Sequence, residues 1–275
     1  MADGRASLKL KMKPAVLVER IEVCGPEVDV FRFKPKEGEI FPFRPGQYVT
    51  LGLDIGGEFV ARAYSIASSP YQRDYLELYI NLVEEGQFTP SLFRLQPGDE
   101  VYYMGPKGVF TLKKTSATHL FFIATGTGLA PYVSMLRTLH ADYREGKPHG
   151  QVITLVHGVR FSLDLGYRDE LEALAHDEEF DLLYIPMVSR PDQDPNWTPE
   201  SGRGRITELL RLIGEELDEC PVECLPKGML PQRVFERLPS DRTAVFVCGN
   251  PDMIADAKAL LAGKGYSELY TEEYW

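Results

Sequence analysis

The sequence predicts two folds in series, an N-terminal antiparallel β-barrel followed by a C-terminal α/β domain with a parallel sheet. Three observations predict this. The first part consists of short runs rich in β-branched and aromatic residues, punctuated by glycine and proline turns, which is the pattern of a barrel or sandwich. After the polar linker Thr115-Ser116-Ala117-Thr118 the pattern changes, and buried apolar strands alternate with helices, as in a parallel sheet covered on both faces. A chain of 275 residues also has the length of two ordinary domains. The expected domains are therefore residues 1–115 and 116–275.

Taken in order, Val16 to Val23 and Val28 to Phe33 read as the first strands. Tyr48 to Leu53, Phe59 to Ile66, Tyr75 to Leu82, Glu100 to Tyr103 and Val109 to Lys113 follow as further strands. Turns are expected at Gly38, Pro45-Gly46, Gly56-Gly57, Ser69-Pro70, Pro97-Gly98 and Gly105-Pro106. One short helix is expected over Thr89 to Leu95. In the second part, His119 to Ala124, Val152 to His157, Leu182 to Val188 and Ala244 to Cys248 are the expected strands. Helices are expected over Pro131 to His140, Tyr167 to Ala175, Ile206 to Leu217 and Asp252 to Ala262.

Hydrophobic residues make up 44% and charged residues 26%, the balance of a soluble globular protein. The net charge of −11 argues against broad nucleic-acid binding, which needs a basic face. No apolar run approaches the ~20 residues of a membrane helix, so no membrane span is expected. The basic N-terminus has no apolar segment after it, which argues against a signal peptide. The four cysteines, Cys24, Cys220, Cys224 and Cys248, are too few for a disulfide framework in a chain of this length. Cys220 and Cys224 form a lone C-x-x-x-C pair, without the further ligands that a zinc site or an iron–sulfur cluster requires. These features point to a reducing cytoplasm and to no bound metal.

The chemistry is concentrated in a few turns. Gly126-Thr127-Gly128-Leu129-Ala130-Pro131 follows an apolar strand and leads into a helix. Proline suits the first helical turn, the glycines allow close approach of a phosphate or flat ring, and a helix N-terminus favours negative charge. Pro131 replaces the third glycine of the common dinucleotide fingerprint, so an ordinary tight turn would look the same. Cys248-Gly249-Asn250-Pro251 repeats the logic after the last expected strand. Ligands of open α/β sheets sit beyond the carboxyl ends of strands, and both turns fall there. Cys248 would stand at the strand tip, facing what binds.

Arg160, Arg190, Arg203 and Arg205 all follow strands on that same edge. An arginine fork suits a phosphate, and arginines near the ribose accommodate a 2′-phosphate. In the first part, Arg62-Ala63-Tyr64-Ser65 ends a strand. Arg62 can pair with a pyrophosphate and, on the same strand face, Tyr64 can lie against a flat heterocycle. Ser65 offers a hydroxyl to an edge nitrogen. The chain ends in the aromatic pair Tyr274-Trp275, better explained by docking on the fold or on a cofactor than by exposure. Together these pieces suggest a flavin beside a nicotinamide dinucleotide.

In these motifs, and in Val188-Ser189-Arg190, Gly204-Arg205-Ile206, Cys248-Gly249-Asn250-Pro251-Asp252-Met253 and the Tyr-Trp ending, the chain resembles the bacterial ferredoxin (flavodoxin)–NADP(+) reductases from about Val16 to Trp275. The resemblance implies an FAD-binding barrel and an NADP(H)-binding parallel sheet. It implies that Arg62 holds the FAD phosphates, Tyr64 stacks on the isoalloxazine and Ser65 bonds near N5, within the Arg62-Ala63-Tyr64-Ser65 strand. Tyr79, Gln87, Phe88 and Thr89 would contact the rest of FAD, Thr127 would reach it from the second domain, and Tyr274 and Trp275 would pack on it. Arg160, Arg190 and Arg205 would bind the 2′-phosphate, with Arg203 the alternative to Arg205. Cys248 and Glu272 resemble positions that assist hydride transfer. The partners implied are ferredoxin or flavodoxin, and a basic patch from the N-terminal lysines and Lys113-Lys114 would attract them. Three other readings stay open: a flavin reductase of this fold serving an oxygenase or another redox partner, an electron-transfer subunit of a larger complex, though the extra cysteine cluster common in such subunits is missing, and a nucleotide-binding module without turnover.

Overall fold

A computed structural model describes residues 7–23, 27–147, 149–214 and 224–273. Cys24, Cys220, Tyr274 and Trp275 lie outside the described residues, as does the side chain of Lys114. The chain divides into two compact units, Met1–Leu112 with Ala130–Thr138, and Lys113–Leu129 with Leu139–Trp275.

The first unit is built on a six-stranded antiparallel sheet. Its strands are β1 (Lys13–Glu22), β2 (Val28–Pro35), β3 (Tyr48–Ile55), β4 (Glu58–Ser65), β5 (Leu76–Asn81) and β6 (Glu100–Lys107), in the order β4-β3-β6-β1-β2-β5. The two edge strands meet where Ile66, just after β4, bridges Leu78 of β5, so the sheet curls into a barrel. Alternation along the strands sends one set of side chains inward, and Leu17, Phe31, Phe33, Val49, Leu51 and Leu78 are all buried there. A short helix, α1 (Phe88–Leu92), follows β5.

Two expectations fail here. Val109 to Lys113 is not a strand. Gly108 turns the chain at φ +93°, Thr111 N–H then donates to the Val109 carbonyl at 2.9 Å, and Leu112–Lys114 forms a 3₁₀ turn. Gly105-Pro106 is not a turn but the continuation of β6, whose end pairs with β3 through Lys107 and Tyr48.

One ion network binds the barrel. Glu77 on β5 is buried, with its side chain only 2% exposed, between two arginines. Arg32 Nε donates to Oε2 at 2.8 Å and Arg137 Nη1 to Oε1 at 2.7 Å. Arg137 also holds the Ala67 carbonyl at 3.1 Å. It comes from α2 (Ala130–Arg144), whose first turns belong to this unit. Both carboxylate oxygens are thus satisfied, which is the condition for burying this charge at all.

The second unit is a six-stranded parallel sheet. Its strands are β7 (His119–Thr125), β8 (Val152–Val159), β9 (Leu182–Val188), β10 (Gly202–Arg203), β11 (Thr243–Gly249) and β12 (Glu268–Glu273). They stand in the order β10-β9-β8-β7-β11-β12. From β7 the chain first lays β8, β9 and β10 to one side, then places β11 and β12 on the other. The order therefore reverses at β7 and β11, the place where open α/β sheets bind ligands. The other helices are α3 (Arg168–His176), α4 (Ile206–Leu212), α5 (Pro231–Phe235) and α6 (Pro251–Gly263). Phe121, Ile123, Val156, Ile185, Val245 and Val247 form the core between sheet and helices.

The helix expected over Ile206 to Leu217 ends at Leu212, where Ile213 turns to extended backbone. The sequence pattern also missed α5, β10 and β12. β12, with sequence ELYTEE, has no buried residue and alternates too little to read as a strand; it forms because its backbone pairs with β11 at the sheet edge. Among the described residues no helix is long and apolar enough to cross a membrane.

The Glu77→Ala substitution should destabilise the protein by about 3 kcal/mol in urea unfolding, the low end for a broken buried pair because both arginines keep some water. Glu77→Gln, which keeps the volume and one acceptor, should cost clearly less.

Candidate active site

In the first unit, β4 presents Arg62 and Ala63 exposed, Tyr64 half-buried and Ser65 buried. Arg62 Nη1 donates to the Ala61 carbonyl at 2.8 Å, and among the described residues it makes no ion pair. Its charge stays available to an anion. The Tyr64 ring packs against Phe88 at 5.9 Å between centroids. Burial pushes its phenol well above the usual range, against the opposing pull of the Arg62 charge, so the ring is neutral. Ser65 Oγ is buried and hydrogen-bonds to nothing among the described residues. A buried hydroxyl in that condition is rare and costs free energy unless a ligand meets it.

The remaining residues expected on this side lie nearby in the fold. Tyr79 is buried on β5, opposite Val30. Gln87 is exposed at the position just before α1, and Phe88 and Thr89 open that helix, both buried. The Thr89 hydroxyl accepts from Val83 N–H at 2.9 Å and donates to the Val83 carbonyl at 3.2 Å, so it holds the preceding loop.

In the second unit both glycine turns stand at the carboxyl ends of the reversal strands. Gly126–Leu129 forms a 3₁₀ turn after β7, and α2 follows directly with Pro131 in its first turn. Gly126 has φ +52°, and a Cβ there would meet nothing within 4 Å, so the turn is open on that side. Gly128 is the opposite case. A Cβ there would lie 2.4 Å from the Cys248 carbonyl oxygen and 2.8 Å from Gly249 Cα. The two turns touch backbone to backbone. Thr125 fastens them, its Oγ1 accepting from Asn250 N–H at 3.0 Å. Asn250 in turn caps α6, its side chain accepting from Asp252 N–H at 2.9 Å and Met253 N–H at 3.3 Å.

Cys248 is fully buried on β11, and its register partner on β12 is Glu272. The structure thus sets two of the expected catalytic residues side by side. Thr127 is half-exposed in the first turn. Arg160 and Arg190 follow β8 and β9 and are backbone neighbours, Arg190 N–H donating to the Arg160 carbonyl at 3.1 Å. Arg205 precedes α4. All three are exposed, and among the described residues none forms an ion pair. Arg203 differs: its Nη2 lies 2.8 and 2.7 Å from the two oxygens of Asp192. That pair neutralises Arg203 and leaves Arg205 as the third free cation of the set.

Thr125 and His157 at these turns escaped the sequence reading, as did the capping role of Asn250. Asn-Pro-Asp before a helix is a legible capping signal. His157 had a fainter one, a titratable residue at the end of the β-branched and apolar run Val152–Val156.

The side chains present fit the two groups that the sequence implies. Ser65, Tyr64 and Arg62 offer a hydroxyl, a ring and a cation to a flavin nucleotide. The open Gly126 and the arginine trio offer room and charge to a phosphorylated dinucleotide. Gly128→Ala should be severely damaging, because backbone rather than a mobile side chain occupies the added methyl's place. We expect a loss of about 3 kcal/mol or more in thermal unfolding and weakened dinucleotide binding in titration.

Residues 14–112 match the oxidoreductase FAD-binding domain family and residues 122–259 the oxidoreductase NAD-binding domain family. A ferredoxin–NADP reductase B of Sorangium cellulosum is 34% identical over 247 residues, 89% of each chain. A ferredoxin–NADP reductase of Pseudomonas aeruginosa is 31% identical over 246 residues, 86% of this chain and 84% of its own. The crystal structure of a ferredoxin NADP+ reductase from Neisseria gonorrhoeae with bound FAD and NADP superposes with a TM-score of 0.77 at 24% identity, covering 96% of this chain and 99% of that one. The chain belongs to the ferredoxin–NADP reductase family: it is an oxidoreductase made of an FAD-binding barrel and a nicotinamide-dinucleotide-binding parallel sheet.

Proposed function

We propose that this enzyme exchanges a hydride with NADP(H) and single electrons with ferredoxin or flavodoxin, and that it works in the cytoplasm. Residues 1–115 would carry FAD and residues 116–275 NADP(H). The observation that carries the coenzyme choice is the trio Arg160, Arg190 and Arg205, exposed at one sheet edge and without ion pairs among the described residues. An edge of that charge suits a 2′-phosphate, whereas a carboxylate there would suit the ribose hydroxyls of NAD. Cys224 and Cys248 are thiols rather than a disulfide, in accord with a reducing compartment.

FAD, when bound, would supply the conversion of a two-electron donor into two one-electron transfers. The protein's own residues would do the rest. Arg62 would neutralise the pyrophosphate, and the neutral Tyr64 ring would set the plane of the heterocycle. Ser65 would complete its missing hydrogen bond on the ring edge and so fix its orientation. Cys248, held rigidly in β11, would position the nicotinamide, and Glu272 beside it could hold or release a proton. The N-terminal basic segment contributes less to partner attraction than its composition implies, because Lys9 is paired with Asp54 at 2.5 Å.

Replacing Arg190 and Arg205 together with alanine should raise KM for NADPH by about a hundredfold, on the scale of two charge-assisted contacts, with KM for NADH changed less than about threefold. Equal losses for both coenzymes in steady-state assays would contradict the assignment.

A further inference from the structure

His157 is a titratable group that the proposed chemistry does not use. It lies on β8, and none of its surface reaches solvent. Its Nε2 is 3.2 Å from the carbonyl oxygen of Gly126, the first residue of the 3₁₀ turn after β7. Its Nδ1 is 3.5 Å from the hydroxyl of Tyr184 on β9. A carbonyl can only accept, so Nε2 carries the proton, and Nδ1 is left to accept from the tyrosine. The result is a chain of donors, Tyr184 O–H to His157 to the Gly126 carbonyl, running across three adjacent strands. Burial lowers the imidazole pKa from 6.5 to about 4, which keeps the ring neutral and this arrangement intact at neutral pH.

The consequence lies on the other side of the peptide plane. The Gly126–Thr127 peptide is trans, so its C=O and N–H point in opposite directions. A carbonyl drawn inward to a buried imidazole turns the Thr127 N–H away from it, in a turn that is open where a Cβ on Gly126 would meet nothing within 4 Å. Glycine at φ +52° has the conformational freedom to flip this peptide, so the sequence of the turn alone does not hold it.

We propose that His157 is a positioning residue for dinucleotide binding: by holding the Gly126 carbonyl it aims the Thr127 amide at the ligand's pyrophosphate. The inference rests on the reading that this turn receives a dinucleotide. Its test separates the pyrophosphate from the 2′-phosphate, which the arginines serve. NADP+ and 2′-AMP are each titrated into the oxidised holoenzyme, followed by difference absorbance for NADP+ and calorimetry for 2′-AMP. His157→Leu should weaken NADP+ about fivefold, the scale of one net hydrogen bond, with 2′-AMP unchanged. His157→Gln, which keeps an N–H donor, should recover most of the loss. Should the leucine variant fail to fold, Tyr184→Phe provides the test. It releases the imidazole from the Nε2–H tautomer and should weaken NADP+ about twofold, again sparing 2′-AMP. Unchanged NADP+ affinity in the variant tested, or equal weakening of both ligands, would overturn the proposal. Wild-type protein that binds neither ligand would overturn the dinucleotide reading itself, and with it this one.

Discussion

The functional half of this protein depends on the contact between Gly128 and the Cys248–Gly249 backbone. Two strands that are far apart in sequence, β7 and β11, lie side by side where the strand order reverses. Each ends in a turn, and the turns share one small space. A Cβ at Gly128 would sit 2.4 Å from a backbone oxygen, so the pairing exists only with glycine there. Much else follows from that contact. Thr125 can reach Asn250 at 3.0 Å, Asn250 can cap α6, and Cys248 is held at the end of a strand whose neighbour supplies Glu272. The turns that follow β7 and β11 then lie together on the same edge, which is how a parallel sheet makes a phosphate-binding rim out of backbone amides.

Charge is distributed with the same economy. In a chain of net charge −11, half of the arginines discussed here are committed to a carboxylate. Arg32 and Arg137 share Glu77, Arg203 is held by Asp192, and Arg20 by the buried Asp29. Among the described residues Arg62, Arg160, Arg190 and Arg205 form no such pair, and they stand on strand ends and turns rather than on open helix faces. Leaving cations unneutralised in so acidic a protein makes sense when an anion completes them. The pyrophosphate of a flavin nucleotide and the 2′-phosphate of a nicotinamide dinucleotide are anions of suitable charge and shape. Ser65 makes the same argument without charge, since its buried hydroxyl has no protein partner among the described residues.

Much of this was legible in the sequence, because it rests on local patterns. All six barrel strands and the four long parallel strands were visible as runs of apolar or alternating residues, and the two turns as glycines between a strand and a helix. What escaped depended on tertiary context. The strand expected over Val109 to Lys113 has β-forming residues, but Gly108 redirects the chain before it can pair. The strand Glu268–Glu273 has an unpromising composition and forms because β11 offers an edge. Arg203 and Arg205 are indistinguishable by position in the sequence, and only the structure shows Asp192 claiming the first. His157 looked like one more residue of a buried strand until its distance to Gly126 gave it a partner.

The claim on which the account turns is that this fold brings FAD and NADP(H) into redox contact and prefers the phosphorylated coenzyme. An anaerobic titration of the purified protein with NADPH and NADH in parallel, followed by visible absorbance, tests it directly. The account predicts a yellow protein whose flavin band is bleached at near-stoichiometric NADPH and only at far higher NADH. A colourless protein, or one that neither coenzyme bleaches after FAD is added, would contradict it and would favour a nucleotide-binding module without turnover.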